Sequence, residues 1–546
     1  RDIVANASAT GNVTTTGQRV GGLIGYHRTG TILRNVTATG DVSTDGQRVG
    51  GLVGDTDASI TDASATGEVT TSTTGEYVGG LVGQLQAQHG DEEVRNVTAS
   101  GNVSSGGQYV GGLIGDVRDD GTHYVAMSEA HATGNVNTTY ADESGFNNAY
   151  VGGLVGHFEG SEFTDISATG DVTSTTGNEV GGLVGRVAME QERDIVANAS
   201  ATGNVTTTGQ QIGGLIGYHQ NGDGVETSYA RGDVSTDGNY VGGLIGDTND
   251  GSITDSYARG DVNSSGDYVG GLVGEANGDV TRAYASGRVE GDGTDIGGLV
   301  GTNNGGTLSD AYWDRGATNQ TAATGSGSSE GATGYGTVGD TGALKMQGRA
   351  PTTFMKGLNY TSPWKLTSTY PVFQRESNTT EPSLSPIDSM EASDTTALQT
   401  EQTTIDVTAT VDGTPADAGY VIRVDNADGL TELADAGAVT DANGTATFTF
   451  AESAIGTFTP GFSAAGESTV STTATVEVEP GTVRTYTRDD GTELTATYPG
   501  NGTDTSPYLV DSLADLQAIN INATTRGEQY RLAEDIDTSA TNNASW

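Results

Sequence analysis

A six-residue phrase, Val-Gly-Gly-Leu-(Val/Ile)-Gly, occurs ten times and constrains what this 546-residue chain can become. Its copies begin at Val20, Val49, Val78, Val110, Val151, Val180, Ile212, Val241, Val269 and Ile296, mostly 27 to 32 residues apart, with one long step from Val110 to Val151. A period in that range belongs to solenoids, propellers and arrays. Each unit carries a second apolar piece, Ala-Thr-Gly-(Asn/Asp)-Val, as at residues 9–13, 38–42 and 168–172; later copies read Tyr-Ala-Arg-Gly-Asp-Val, as at residues 229–234 and 257–262. Short β-branched runs between turn residues predict strands, and no stretch of the array keeps a 3.6-residue period. One unit cannot bury its apolar face alone. Stacking in parallel register buries a continuous core, which predicts an all-β parallel β-solenoid, with coils about 4.8 Å apart and ten coils spanning roughly 48 Å. The regular glycines fit a tight coil, where a Cβ would block a close backbone approach. A phosphate-cradling loop is excluded because no P-loop Lys and no helix follow the motif.

Composition sets the environment. The formal charge is −47, with 24 Lys and Arg against 71 Asp and Glu. Nucleic acid and anionic membrane surfaces need clustered basic residues, so both are excluded as partners. The three lysines are Lys345, Lys356 and Lys365. Such an acidic, lysine-poor surface resembles that of halophile proteins, since strong salt screens its self-repulsion. There is no Cys, hence no disulfide or thiolate chemistry. No apolar run is long enough for a transmembrane helix. The chain opens on Arg1 without a signal peptide, as a processed chain or a window of a longer one would. Asn-X-Ser/Thr sequons stand at Asn6, Asn12, Asn35, Asn96, Asn102, Asn137, Asn198, Asn204, Asn263, Asn319, Asn359, Asn378, Asn443, Asn501, Asn522 and Asn543. They are glycosylation candidates and point to an extracellular or cell-surface location.

The hexapeptide at this period resembles the GLUG motif of bacterial and archaeal surface proteins, over about residues 1–373. The resemblance implies a β-solenoid rod in a secreted, adhesin-like protein, and it brings no catalytic residues. Residues 1–18 are identical to residues 193–210; block duplication suits a part that supplies length. Five segments follow: a solenoid at 1–305, a closing segment at 306–374, a linker at 375–397, a sandwich at 398–480 and a last stretch at 481–546. The closing segment holds Leu344, Met346, Phe354, Met355, Leu358, Tyr360, Trp364, Tyr370, Val372 and Phe373, and is expected to cap the last coil. Alternation at Ile405, Val407, Ala409 and Val411 predicts a β-sandwich. The turn at residues 441–446 before a Phe-rich strand resembles invasin-type immunoglobulin-like modules. Residues 505–510 and 530–537 predict strands, and Ser512 with Asp515 opens a short helix bearing Leu513, Leu516 and Ile519. This stretch resembles the entry segment of GLUG solenoids, which implies head-to-tail self-association into a filament or surface layer.

Sites for chemistry are sparse, and the chain is not expected to be an enzyme. Asp55, Asp57, Asp119, Asp120, Asp247 and Asp250 are weak candidates for calcium or magnesium; no other cofactor is expected. His27, His89, His123, His131, His157 and His219 lack helical zinc spacing. The long step holds His123, Tyr124, Met127, Glu129, His131, Tyr140, Asp142, Glu143 and Phe146, and a partner-contact loop is expected there. The expected function is an extracellular structural or adhesive rod. The alternative is a glycan-binding or polysaccharide-cleaving β-helix, with cell-surface glycans as partners.

Overall fold

In a computed structural model, the array winds as a parallel β-solenoid. The structure describes all residues except 1–2, 29–31, 73–74, 89, 141–148, 189–194, 223, 339–345, 348–353, 361, 368, 377–386, 399–401, 412, 417–419, 431–432, 434–436, 442, 453, 465–466, 480–481, 488–492, 499–507, 511–529 and 533–546. Each coil lays down four strands, and the second coil is typical: Ile32–Ala38, Val42–Thr44, Arg48–Gly50 and Val53–Thr56. Each strand pairs in parallel with its counterpart in the next coil, as Leu33 does with Ile60, Val42 with Val69, Val49 with Val78 and Val53 with Val82. Four walls result, the second and third of ten strands each. The Ala-Thr-Gly-(Asn/Asp)-Val piece spans the corner from first to second wall, and the hexapeptide supplies the third and fourth.

Two apolar seams run the length of the coil. Leu33, Val36 and Ala38 of the first wall pack with Val53 of the fourth and with Leu52 just before it. Val42 of the second wall packs with Val49 of the third. The walls therefore pair as first with fourth and second with third. The glycines answer to sterics. A Cβ on Gly51 would sit 3.1 Å from the Ala65 Cβ and against the Gly80 carbonyl, and one on Gly54 would sit 2.6 Å from the Val20 nitrogen. No larger residue fits between coils spaced by β-sheet hydrogen bonding.

The array closes within the segment 306–374. Ala38, Ala65, Ala99, Ala132, Ala168, Ala201, Ala230, Ala258 and Ala285 form one inward column, and Trp313 is its next member. Its indole is buried against the last core residues, donates 3.1 Å to the Gln320 carbonyl, and plugs the seam. Strands Thr324–Gly327 and Ala332–Tyr335 then extend the fourth and first walls. Of the closing segment, Met355–Trp364 and Phe373–Arg375 lie along the outside of the first wall. The Gly357 N–H donates to the Tyr312 hydroxyl, the Trp364 Nε1 to Asp255 (2.9 Å), and Arg375 to the carbonyls of Thr227 (2.6 Å) and Asn198 (3.1 Å). Trp364 and Phe373 pack on the stacked rings of Tyr229, Tyr257 and Tyr284. The segment is a strap that runs back over earlier coils. It has to lie there because that is where apolar rings face outward: tyrosine replaces the Ser200 of the preceding coil at Tyr229 and its successors.

The chain forms a second compact unit that includes residues 376–546. Gln402–Val411 pairs antiparallel with Ser389–Ala392 and Thr445–Ala451, and Val421–Asn426 with Gly437–Val439 and Gly461–Ala464. Ile405, Val407, Ala409, Phe448, Phe450 and Phe462 share one core. Asp441 accepts the N–H groups of Asn443 and Thr445, closing the turn before the Phe-rich strand. Beyond it, Thr482–Thr487 pairs with Glu493–Tyr498, and Tyr508–Val510 with Tyr530–Leu532. The expected helix near Ser512, Leu513, Asp515, Leu516 and Ile519 lies outside the described residues, as does Leu344.

Candidate functional site

The outward side chains of the solenoid form columns, because each coil repeats the last in register. One pair of columns flanks the hexapeptide. On the third wall it runs Arg19, Arg48, Tyr77, Tyr109, Tyr150. On the fourth it runs Tyr26, Asp55, Gln84, Asp116, His157, Arg186, Tyr218, Asp247, Glu275. They interlock. Asp55 accepts from Arg19 (2.7 Å), and Asp116, fully buried, accepts from Gln84, Arg118 and His157 at 2.8 to 2.9 Å. The rings of Tyr77 and Tyr109 stack at 4.9 Å with Arg118 over both, and Tyr150 lies tilted at 46° to Tyr109, also 4.9 Å away. Burial pushes the Tyr77 and Tyr109 hydroxyls up to about 12 and the Glu179 carboxyl up to about 7, against the opposing pull of Arg186 on Glu179. The signal for this seam stood in the sequence, at the residue before each Val of the hexapeptide and the residue after its last Gly. Sequence reasoning passed over it.

A second pair of columns lies on the second wall. Asn12, Asp41, Asn102, Asn135, Asp171, Asn204, Asp233 and Asp261 each accept, at the side-chain oxygen, the backbone N–H of the same position one coil on, at 2.8 to 3.0 Å. Two residues further along each strand stands an outward column of Thr14, Ser43, Thr70, Ser104, Asn137, Thr173, Thr206, Ser235 and Asn263. A third column, on the first wall, holds Asn6, Asn35, Asp62, Asn96, Glu129, Asp165, Asn198 and Asp255, all at positive φ. Asn35 donates to Asn6 and Asn96 to Asp62, each at 2.6 Å. Asn and Asp tolerate that conformation and hydrogen-bond their neighbours, which accounts for their recurrence.

The sequons of the array fall on these columns. Asn6, Asn35 and Asn96 are exposed on the first wall and Asn198 is half-buried there; Asn12, Asn102, Asn137, Asn204 and Asn263 are exposed on the second. Asn319, Asn359 and Asn443 are exposed outside the coils, whereas Asn378, Asn501, Asn522 and Asn543 lie outside the described residues.

The expected cation ligands do not converge. Asp55 is held by arginines, and burial nonetheless pushes its carboxyl up. Asp57 is buried and Asp250 exposed. Asp119 and Asp120 cap one turn, where the His123 side chain and backbone hold Asp120 down at about 2. Asp247 accepts from Gln211, and burial pushes it up to about 6. Among the described residues no three acidic or His groups gather as metal ligands. The long step divides between two corners. His123 and Tyr124 precede the first wall, where Met127 points into the core and His131 meets Ser167; Glu129 joins the positive-φ column. Tyr140 follows the second wall and packs on its valines. Asp142, Glu143 and Phe146, like His89, lie outside the described residues.

Residues 16–43, 45–70, 74–104, 147–173 and 237–263 match the GLUG motif. Those five segments are GLUG repeats. A relative of the whole stretch is "Halomucin" of Haloquadratum walsbyi, 80% identical over 517 residues, which is 94% of this chain and 6% of that protein. The chain thus spans a small fraction of that relative's length. No solved structure matches. Among the described residues no helix is long and apolar enough to cross a membrane.

Proposed function

We propose that the chain is a rod-forming segment of an extracellular surface protein of a halophile. The observation that carries this reading is the unbroken in-register ladder of GLUG coils, held at every level by glycines that admit no side chain. Such a body supplies length and stiffness. The acidic, lysine-poor composition and the likeness to a protein of a halophilic archaeon support the setting. The alternative of a glycan platform has less to rest on, since the Tyr77 and Tyr109 rings stack on one another with Arg118 over both.

End-to-end assembly is the finer reading. It rests on the resemblance of residues 481–546 to the entry segment of such a solenoid. Antibody labelling of intact halophile cells that make the protein tests the setting, with surface label expected. Light scattering of the purified chain in molar salt tests assembly. Concentration-dependent growth in mass is expected, and a monomer at all concentrations would contradict it.

A further inference from the structure

We infer that N-linked glycans decorate the first and second walls of the rod and leave the third and fourth walls bare. The inference rests on the extracellular reading above. Its basis is the placement of the sequons. Asn12, Asn102 and Asn204 stand at the corner leading into the second wall, two residues before Thr14, Ser104 and Thr206 of its outward column. The Asn and Asp residues of the column hold the next coil's N–H through the side-chain oxygen. A glycan on Nδ2 leaves that oxygen and one N–H in place, so the ladder survives modification.

The first wall divides along its length. Asn6, Asn35 and Asn96 are followed two residues on by Ser8, Thr37 and Thr98. From the eighth coil the same column carries Tyr229, Tyr257, Tyr284 and Tyr312, which lie under the strap. The exchange of Ser or Thr for Tyr builds the strap's bed in coils where the sequon position already carries Thr227, Asp255, Arg282 or Asp310 in place of Asn. No sequon of the chain falls within a hexapeptide strand. Because the first wall packs on the fourth and the second on the third, the sugar-bearing faces and the Tyr–Arg seam lie on opposite faces of the packed walls.

The donor is a lipid-linked phosphate sugar. The Asn Nδ2 forms a bond to sugar C1, the C1–O bond to phosphate breaks, the phosphate leaves with the bonding pair, and the amide proton passes to a base.

The test expresses the full chain with a secretion signal in a glycosylating halophilic archaeon, followed by glycopeptide mass spectrometry. Occupancy is expected at Asn12, Asn102 and Asn204 and at Asn6, Asn35 and Asn96. Three substitutions, Asp41→Asn, Asp171→Asn and Asp233→Asn, complete sequons with Ser43, Thr173 and Ser235 while keeping the ladder bond. Each is expected to add one glycan mass without lowering the melting temperature. Exported protein with bare sequons, beside a glycosylated surface protein of the same cells, would overturn the inference alone. Protein retained in the cell despite its signal would overturn the extracellular reading and the inference with it.

Discussion

His219 occupies an inward position that neighbouring coils fill with Leu85, Val117, Phe158 and Val187. It is fully buried, neither ring nitrogen meets a hydrogen-bond partner, and burial lowers its pKa from 6.5 to about 4. Above pH 6.5 the ring is neutral folded or unfolded and contributes nothing that varies with pH. Between there and about 4 only the unfolded chain takes the proton, so acidification destabilises the fold by about 3 kcal/mol. Comparing wild type with His219→Leu isolates the effect from the acidic groups. Denaturant titrations at pH 7 and 4.5 are expected to show the variant losing less stability on acidification; equal losses would refute the account. The glycines offer a sharper contrast. A Cβ on Gly153 meets the Gly182 carbonyl and the Ala168 Cβ at 3.0 Å, whereas one on Gly11 meets nothing within 4 Å. Gly153→Ala is expected to cost more than about 3 kcal/mol and Gly11→Ala less than about 0.5, read as unfolding midpoints.

At the scale of elements, periodicity made the four walls legible, because every strand of the array repeats a local pattern. The strap was not legible, because its anchors are distant in sequence: Trp364 meets Asp255 across 109 residues. One hint was available. The change from Ser200 to Tyr229, Tyr257 and Tyr284 puts large rings on an outward column, and such rings need cover. Trp313 was readable as an end signal, but its role as a plug in the alanine column needed the register. The glycosylation sequons were legible as motifs; that they collect on two walls was not, since the wall of a residue depends on where the corners fall. Trp364→Ala empties the centre of the strap's contact and is expected to cost about 3 to 5 kcal/mol. Hydrogen exchange is expected to rise in residues 355–364 while Val280–Ala285 stays protected, because the coil's own hydrogen bonds do not pass through the strap.

For the whole chain, charge governs. At −47, with only 24 basic residues, self-repulsion opposes compaction and salt relieves it. Lowering the salt from molar to about 0.1 M lengthens the screening distance from about 3 to about 10 Å, beyond the spacing between neighbouring coils. The unfolding temperature is expected to fall steadily over that range, and a flat profile would show that composition does not tie stability to salt. The central claim is the register of the coils, and the absence of Cys allows it to be tested directly. Ser43 and Thr70 are register neighbours, with Thr14 one coil further away in the same column. Coil spacing puts the first pair roughly 5 Å apart, within disulfide reach, and the pair Thr14 and Thr70 at roughly 10 Å, outside it. Under mild oxidation of the folded chain, Ser43→Cys with Thr70→Cys is expected to close an intramolecular disulfide, and Thr14→Cys with Thr70→Cys to stay reduced. Closure of the second pair in preference to the first would contradict the stacked solenoid.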